Sequence, residues 1–272
     1  VQRGLSQFEL VHVPYERWPL GRSESEISRT PRALRISIMD SSFNPPTRAH
    51  MALANAPRPF VESSGYDAKI YLLSIKNADK TLKSTDATYL QRLEMMRLLA
   101  QDAGDEDNVA VAIVDEPTFV GKATKLQTFL KRRLSALGAN NLIRPELTFI
   151  LGFDTLERLV APRYYSSSSD GTEAEAKMFA ALDEFFSPGV GNARVACARR
   201  SPTSDAEEST LRLAEKYLKS DRIAFIDIGV AEQTYSSTAV RTALGRGDND
   251  SWEDLVSPRV RDYLLQQILY SN

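Results

Sequence analysis

The chain has 272 residues, 42% of them hydrophobic and 26% charged, with a formal net charge of −2. That supplies enough apolar material for a sizeable core, and it lacks the basic excess that a general nucleic-acid or membrane-surface binder needs. One cysteine, Cys197, excludes an intramolecular disulfide and a cysteine-based zinc site and reads as a buried small hydrophobe. No apolar run nears the ~20 residues of a membrane span and no charged-then-apolar leader opens the sequence, so an intracellular location, cytoplasmic or nuclear, is expected.

Residues 1–33 carry two aromatic–proline clusters, Val13-Pro14-Tyr15 and Trp18-Pro19, and then a polar run from Arg22 to Thr30. They read as an extension lying on a single domain formed by 34–272. The first strand is expected over 35–40, β-branched and bounded by turn residues. Asn44-Pro45-Pro46 stops the ladder, and Thr47 can cap a helix that runs on through His50, Met51 and Leu53. The first N–H groups of that helix, with the positive end of its dipole, point to the mouth of the sheet, where an anion can sit. His50, three residues after Thr47, lies on the same face and can donate a hydrogen bond to a phosphoryl oxygen.

Further strand patterns recur at 68–75, 109–115, 146–153, 193–199 and 222–229. Between them lie helical periods, for example Leu126, Phe129, Leu130, Leu134 and Leu137, with Lys131, Arg132 and Arg133 on the other face. An acidic turn at 102–108 and a polar loop at 166–172 leave too little chain on either side to close separate cores. Strand alternating with helix implies right-handed crossovers. The expected fold is α/β and Rossmann-like: a doubly wound, mostly parallel sheet of about six strands with helices on both faces and ligands beyond the strands' carboxyl ends.

Two later stretches begin at such ends. In Gly152-Phe153-Asp154 the glycine lets a flat ligand approach the backbone, while Asp154 can equally be a plain helix cap. Ser236-Ser237-Thr238 opens a second capped helix, with Arg241 one turn in and Gly245 and Gly247 stopping it. Two helix starts, a histidine and an arginine are the parts needed to hold a triphosphate.

The pattern Ser42-Phe43-Asn44-Pro45-x-Thr47-x-x-His50, then Gly152-x-Asp154-x-Leu156-Glu157, then Ser236-Ser237-Thr238-x-x-Arg241-x-x-Leu244-x-Arg246-Gly247 resembles the nicotinamide mononucleotide adenylyltransferases. The likeness is to the eukaryotic type within the nucleotidyltransferase superfamily. It covers roughly residues 35–270 in the family's motif order and includes the closing helix around Leu255 to Leu264. It implies transfer of AMP from ATP to nicotinamide mononucleotide (NMN), giving NAD and pyrophosphate, a step of NAD biosynthesis. By the resemblance His50 and Arg241 are catalytic and bind the triphosphate. Ser41, Ser42, Phe43, Thr47, Gly152, Asp154, Ser236, Ser237 and Thr238 complete the ATP side, and Asn44, Lys80, Phe119, Tyr165 and Arg199 (or Arg200) the NMN side. Mg²⁺ is expected to arrive with ATP, with no dedicated protein site. Two features depart from the family: Ser41 stands where it has glycine, and Trp18 and Trp252 lie outside the stretches that should supply nicotinamide-stacking tryptophans. These departures leave two other readings open, a divergent ATPase or a transferase with another acceptor, and a non-catalytic nucleotide-binding regulator.

Overall fold

The computed structural model describes residues 6–22, 31–60, 65–76, 85–104, 108–139, 142–166, 170–198, 205–248 and 251–270. Among these residues the sheet has seven strands, in the order β1-β4-β3-β2-β5-β6-β7. These are β1 (Phe8–His12), β2 (Arg32–Ser41), β3 (Ala68–Ser74), β4 (Val109–Val114), β5 (Ile143–Gly152), β6 (Ala193–Ala198) and β7 (Ile223–Ile226). The six expected strands are all present and mutually parallel. Taken alone they run third, second, first, fourth, fifth, sixth, the Rossmann order that reverses at a switch point between β2 and β5. The seventh strand, β1, pairs antiparallel with β4 at the edge, so the N-terminal stretch supplies part of the sheet.

Alternation along each strand divides the interior into two cores. Ile36, Ile38, Ile70, Leu72, Leu147 and Phe149 face one side; Met39, Tyr71, Leu73, Val111 and Ile150 face the other. The first core is covered by α3 (Phe119–Ala136), α4 (Phe153–Leu159), α5 (Gly171–Phe186) and α6 (Asp205–Lys219). The second is covered by α1 (Arg48–Asn55), α2 (Tyr89–Ala103), α8 (Ser237–Gly245) and α9 (Pro258–Gln266), with the short α7 (Val230–Thr234) leading into α8. Trp18 and Trp252 are fully buried, one in each core, and Cys197 is buried in the first. Because the crossover from β4 to β5 changes face, the carboxyl ends of β2 and β5 form the switch point, where doubly wound sheets place their ligand crevice. The first two sequence motifs begin at the ends of β2 and β5, and the third opens α8, which follows β7 and the short α7.

Candidate active site

From the end of β2 the chain turns through Phe43, whose φ of 43° puts a bulky residue in the left-handed region. Packing holds it there: Phe43 is fully buried, 5.0 Å from the His50 ring and 5.8 Å from that of Tyr71, measured between centroids. Only its backbone can meet a ligand. Thr47 then caps α1, and at His50 the geometry selects a tautomer. The ring's Nδ1 accepts the Thr47 backbone N–H at 3.0 Å and lies 2.9 Å from Thr47 Oγ1. In the neutral ring the proton is therefore on Nε2, 3.0 Å from Ser41 Oγ, to which it donates. Thr47 itself is fully buried, and its side chain holds the helix start and the imidazole.

Asn44 is 5% exposed and its amide makes three hydrogen bonds: Nδ2 donates to Asp86 Oδ1 at 2.7 Å, and Oδ1 accepts the Ala87 N–H at 3.2 Å and the Tyr270 hydroxyl at 2.6 Å. Its side chain is an interior hub of the loop. Its carbonyl oxygen accepts from Arg241 Nη1, while Arg241 Nη2 donates to Thr238 Oγ1 at 3.1 Å. Ser237 Oγ donates to the Pro45 carbonyl at 2.7 Å, and Ser236 caps α8 by accepting the Ala239 N–H at 3.1 Å. The first and third motifs, some 190 residues apart in sequence (|i−j| = 192 for Ser237 and Pro45), thus form one surface with two helix starts.

The β2–β5 register ends at Met39–Ile150, and Ser41 and Gly152 are the last residues of the two strands at the switch point. A Cβ built on Gly152 would meet no atom within 4 Å, so no neighbouring side chain demands glycine there and the space in front of it is open. Gly152 is the N-cap of α4; Asp154 is exposed in the first turn and is not the cap, though a carboxylate there suits the helix dipole.

The acceptor-side expectations fare differently. Lys80, Arg199 and Arg200 lie outside the described residues. Phe119 starts α3 edge-on to Phe149 at 5.6 Å, with Lys122 Nζ 4.8 Å above its ring, and packs on the first core. Tyr165 packs on the same core, its hydroxyl donating to the Leu159 carbonyl at 2.7 Å, and burial pushes its phenol up from the usual range. The corner after α4 anchors this ring.

Three groups escaped the sequence reading. Arg92, 6% exposed, donates from Nε to the Ala87 carbonyl at 2.9 Å and from Nη1 to the Ser42 carbonyl at 3.2 Å, with Asp86 3.6 Å from Nη2. Its sequence signal was a charge on the stripe Arg92, Met95, Met96, Leu99 that otherwise faces the core. Asp40 and Lys122 form an ion pair at 2.5 Å, both side chains under a tenth exposed, with Ser74 Oγ donating to the same carboxylate at 3.0 Å. Tyr270 is the third. Among the described residues no three His, Cys, Asp or Glu side chains gather as a metal-holding group. The donors facing the crevice are imidazole, guanidinium, hydroxyl and backbone N–H, which suit phosphate oxygens. No helix among the described residues is long and apolar enough to cross a membrane.

Strand order and capped helix starts define a doubly wound α/β protein of the Rossmann type. Over 237 residues the chain is 27% identical to a protein of Schizosaccharomyces pombe (strain 972 / ATCC 24843) provisionally named nicotinamide mononucleotide adenylyltransferase. The match covers 83% of this chain and 82% of that one, and it bears the family name that the motifs resemble. Among solved structures the chain is similar to Plasmodium falciparum nicotinic acid mononucleotide adenylyltransferase complexed with NaAD, at 18% identity and a TM-score of 0.49, covering 87% and 97% of the two chains. Thermotoga maritima TmcAL bound with alpha-thio ATP follows at 15% identity and 0.41, covering 86% and 55%. No protein-family model matches the chain. The fold assignment rests on the strand order.

Proposed function

We propose that the protein transfers the adenylyl group of ATP to nicotinamide mononucleotide. A phosphate oxygen of the acceptor attacks the α-phosphorus in line, the bond to the β-phosphate oxygen breaks, and pyrophosphate leaves with the electron pair. The observation that carries this reading is the union of the two helix starts: Ser237 bonded to the Pro45 carbonyl and Arg241 to the Asn44 carbonyl, beside a His50 whose Nε2–H points at Ser41. In the reaction His50 exchanges Ser41 Oγ for a phosphate oxygen, and Arg241 turns part of its fork to the triphosphate. Both stabilise charge that develops during transfer. Gly152 admits the nucleoside of ATP to the open space before it. Mg²⁺ enters bound to the triphosphate and neutralises part of its charge; the crevice contributes cations and neutral donors.

The yeast relative's name supports nicotinamide mononucleotide as acceptor. One observation favours the second reading, ATP hydrolysis or transfer to another acceptor: Phe119 and Tyr165, expected on the NMN side, are packed on the first core. The deciding assay supplies ATP and Mg²⁺ with either nicotinamide or nicotinic acid mononucleotide and quantifies dinucleotide, pyrophosphate and free phosphate. Dinucleotide and pyrophosphate in equal amounts are expected with the nicotinamide substrate. Free phosphate without dinucleotide would overturn the proposal in favour of hydrolysis.

A further inference from the structure

After α9 the chain bends through two non-glycine residues in the left-handed region, Ile268 at φ 50° and Tyr270 at φ 64°. A β-branched residue adopts that region only where its surroundings compel it. Ile268 gains no burial in return, being 73% exposed, whereas Leu269 and Tyr270 pack on the second core. The bend therefore serves the direction of the Tyr270 ring. Its hydroxyl donates to Asn44 Oδ1 at 2.6 Å, across 226 residues of sequence.

Asn44 Oδ1 accepts twice, from Tyr270 and from the Ala87 N–H, while its Nδ2 faces the Asp86 carboxylate. Turning the amide over would set NH₂ against the Ala87 N–H and oxygen against the carboxylate, so the phenol proton reinforces one orientation. Asp86 is also 3.6 Å from Arg92, which donates to the Ser42 carbonyl, and the Asn44 carbonyl accepts from Arg241. Loop Ser42–Pro45 is thus held from α2, from α8 and from the C-terminal bend at once.

We propose that Tyr270 is a positioning residue: by fixing the Asn44 amide, the C-terminal bend holds the backbone of the first motif in register with α8 and His50. This rests on the reading that the motif binds ATP, although the holding contact itself can be tested without it. Tyr270→Phe keeps the ring and removes only the hydroxyl, so the packing of the bend is retained. Two measurements on that variant decide the matter. The first is hydrogen exchange of the segment 41–50, with α5 as a remote control; the second is steady-state kinetics with ATP varied.

Faster exchange confined to 41–50 is expected, with kcat reduced roughly three- to tenfold, the value of one neutral hydrogen bond, and KM for ATP changed less. Unchanged exchange in 41–50, or exchange raised equally in α5, would overturn the proposal, because the bond would then hold nothing locally or only support the fold. If the wild type forms no dinucleotide, the functional reading falls by itself and the exchange comparison still decides the role of Tyr270.

Discussion

A histidine that gives its Nδ1 to Thr47 has one proton left to offer, and in this chain Ser41 takes it. The serine stands at the close approach where the resembled family has glycine, so any phosphate that binds must displace its hydroxyl from His50. Removing that competitor by Ser41→Gly is expected to lower KM for ATP several-fold, on the scale of one hydrogen bond worth about 1 kcal/mol. Glycine adds backbone freedom costing roughly 0.5–1 kcal/mol of stability, so a small fall in Tm is expected alongside. The kinetics and the melting curve of the one variant separate the two effects. An unchanged or higher KM would mean that Ser41 assists the phosphate instead of competing with it.

At the scale of elements, α8 is joined to the loop after β2 by Arg241 Nη1 on the Asn44 carbonyl and by Ser237 on the Pro45 carbonyl, while the other arm of the guanidinium is steadied by Thr238 Oγ1 of its own helix. An ammonium in place of that fork is a point charge that cannot span both acceptors in the same geometry. Arg241→Lys is therefore expected to lose roughly tenfold in kcat/KM although the charge is kept, since charge-assisted hydrogen bonds contribute about 1.5–3 kcal/mol. Full activity in the lysine variant would reduce Arg241 to a surface cation. The same elements show what could be read in advance. Six parallel strands were legible because each is an apolar run closed by turn residues, and both helix starts were legible because capping is local chemistry. Strand β1 was not: it has five residues, and its Phe8 and Leu10 become partly buried only through pairing with β4. The burial of Thr47 was not legible either, because a capping hydroxyl and a ligand-binding one are the same residue type and only tertiary packing buries it. The partners of the first-motif loop, Asp86, Arg92 and Tyr270, stand 42, 50 and 226 residues from the groups they hold, beyond any local period.

For the whole molecule, the buried phenols bound stability at high pH. Burial raises Tyr66 from 10.0 to about 12, against the opposing charge of Arg58. Burial also raises Tyr165, and it raises Tyr270 despite the nearby Arg92 and Arg241. Each of the three keeps its proton in the fold at a pH where the unfolded chain, titrating near 10.0, has released it. The unfolded state then binds fewer protons, so stability is fully present below pH 10.0 and falls as pH rises past it toward the folded values. Each phenol that ionises only on unfolding contributes a slope of about 1.4 kcal/mol per pH unit. Urea midpoints measured across that range should be level below 10 and drop above it, while tyrosinate absorbance in the folded state lags behind that of the urea-unfolded chain. Tyr270→Phe removes one titrating group from the C-terminal bend, so its stability curve should fall less steeply by one proton. A folded protein whose absorbance follows the unfolded titration would show these rings open to water, and with it would go the hydroxyl-to-Asn44 contact on which the loop of the first motif depends.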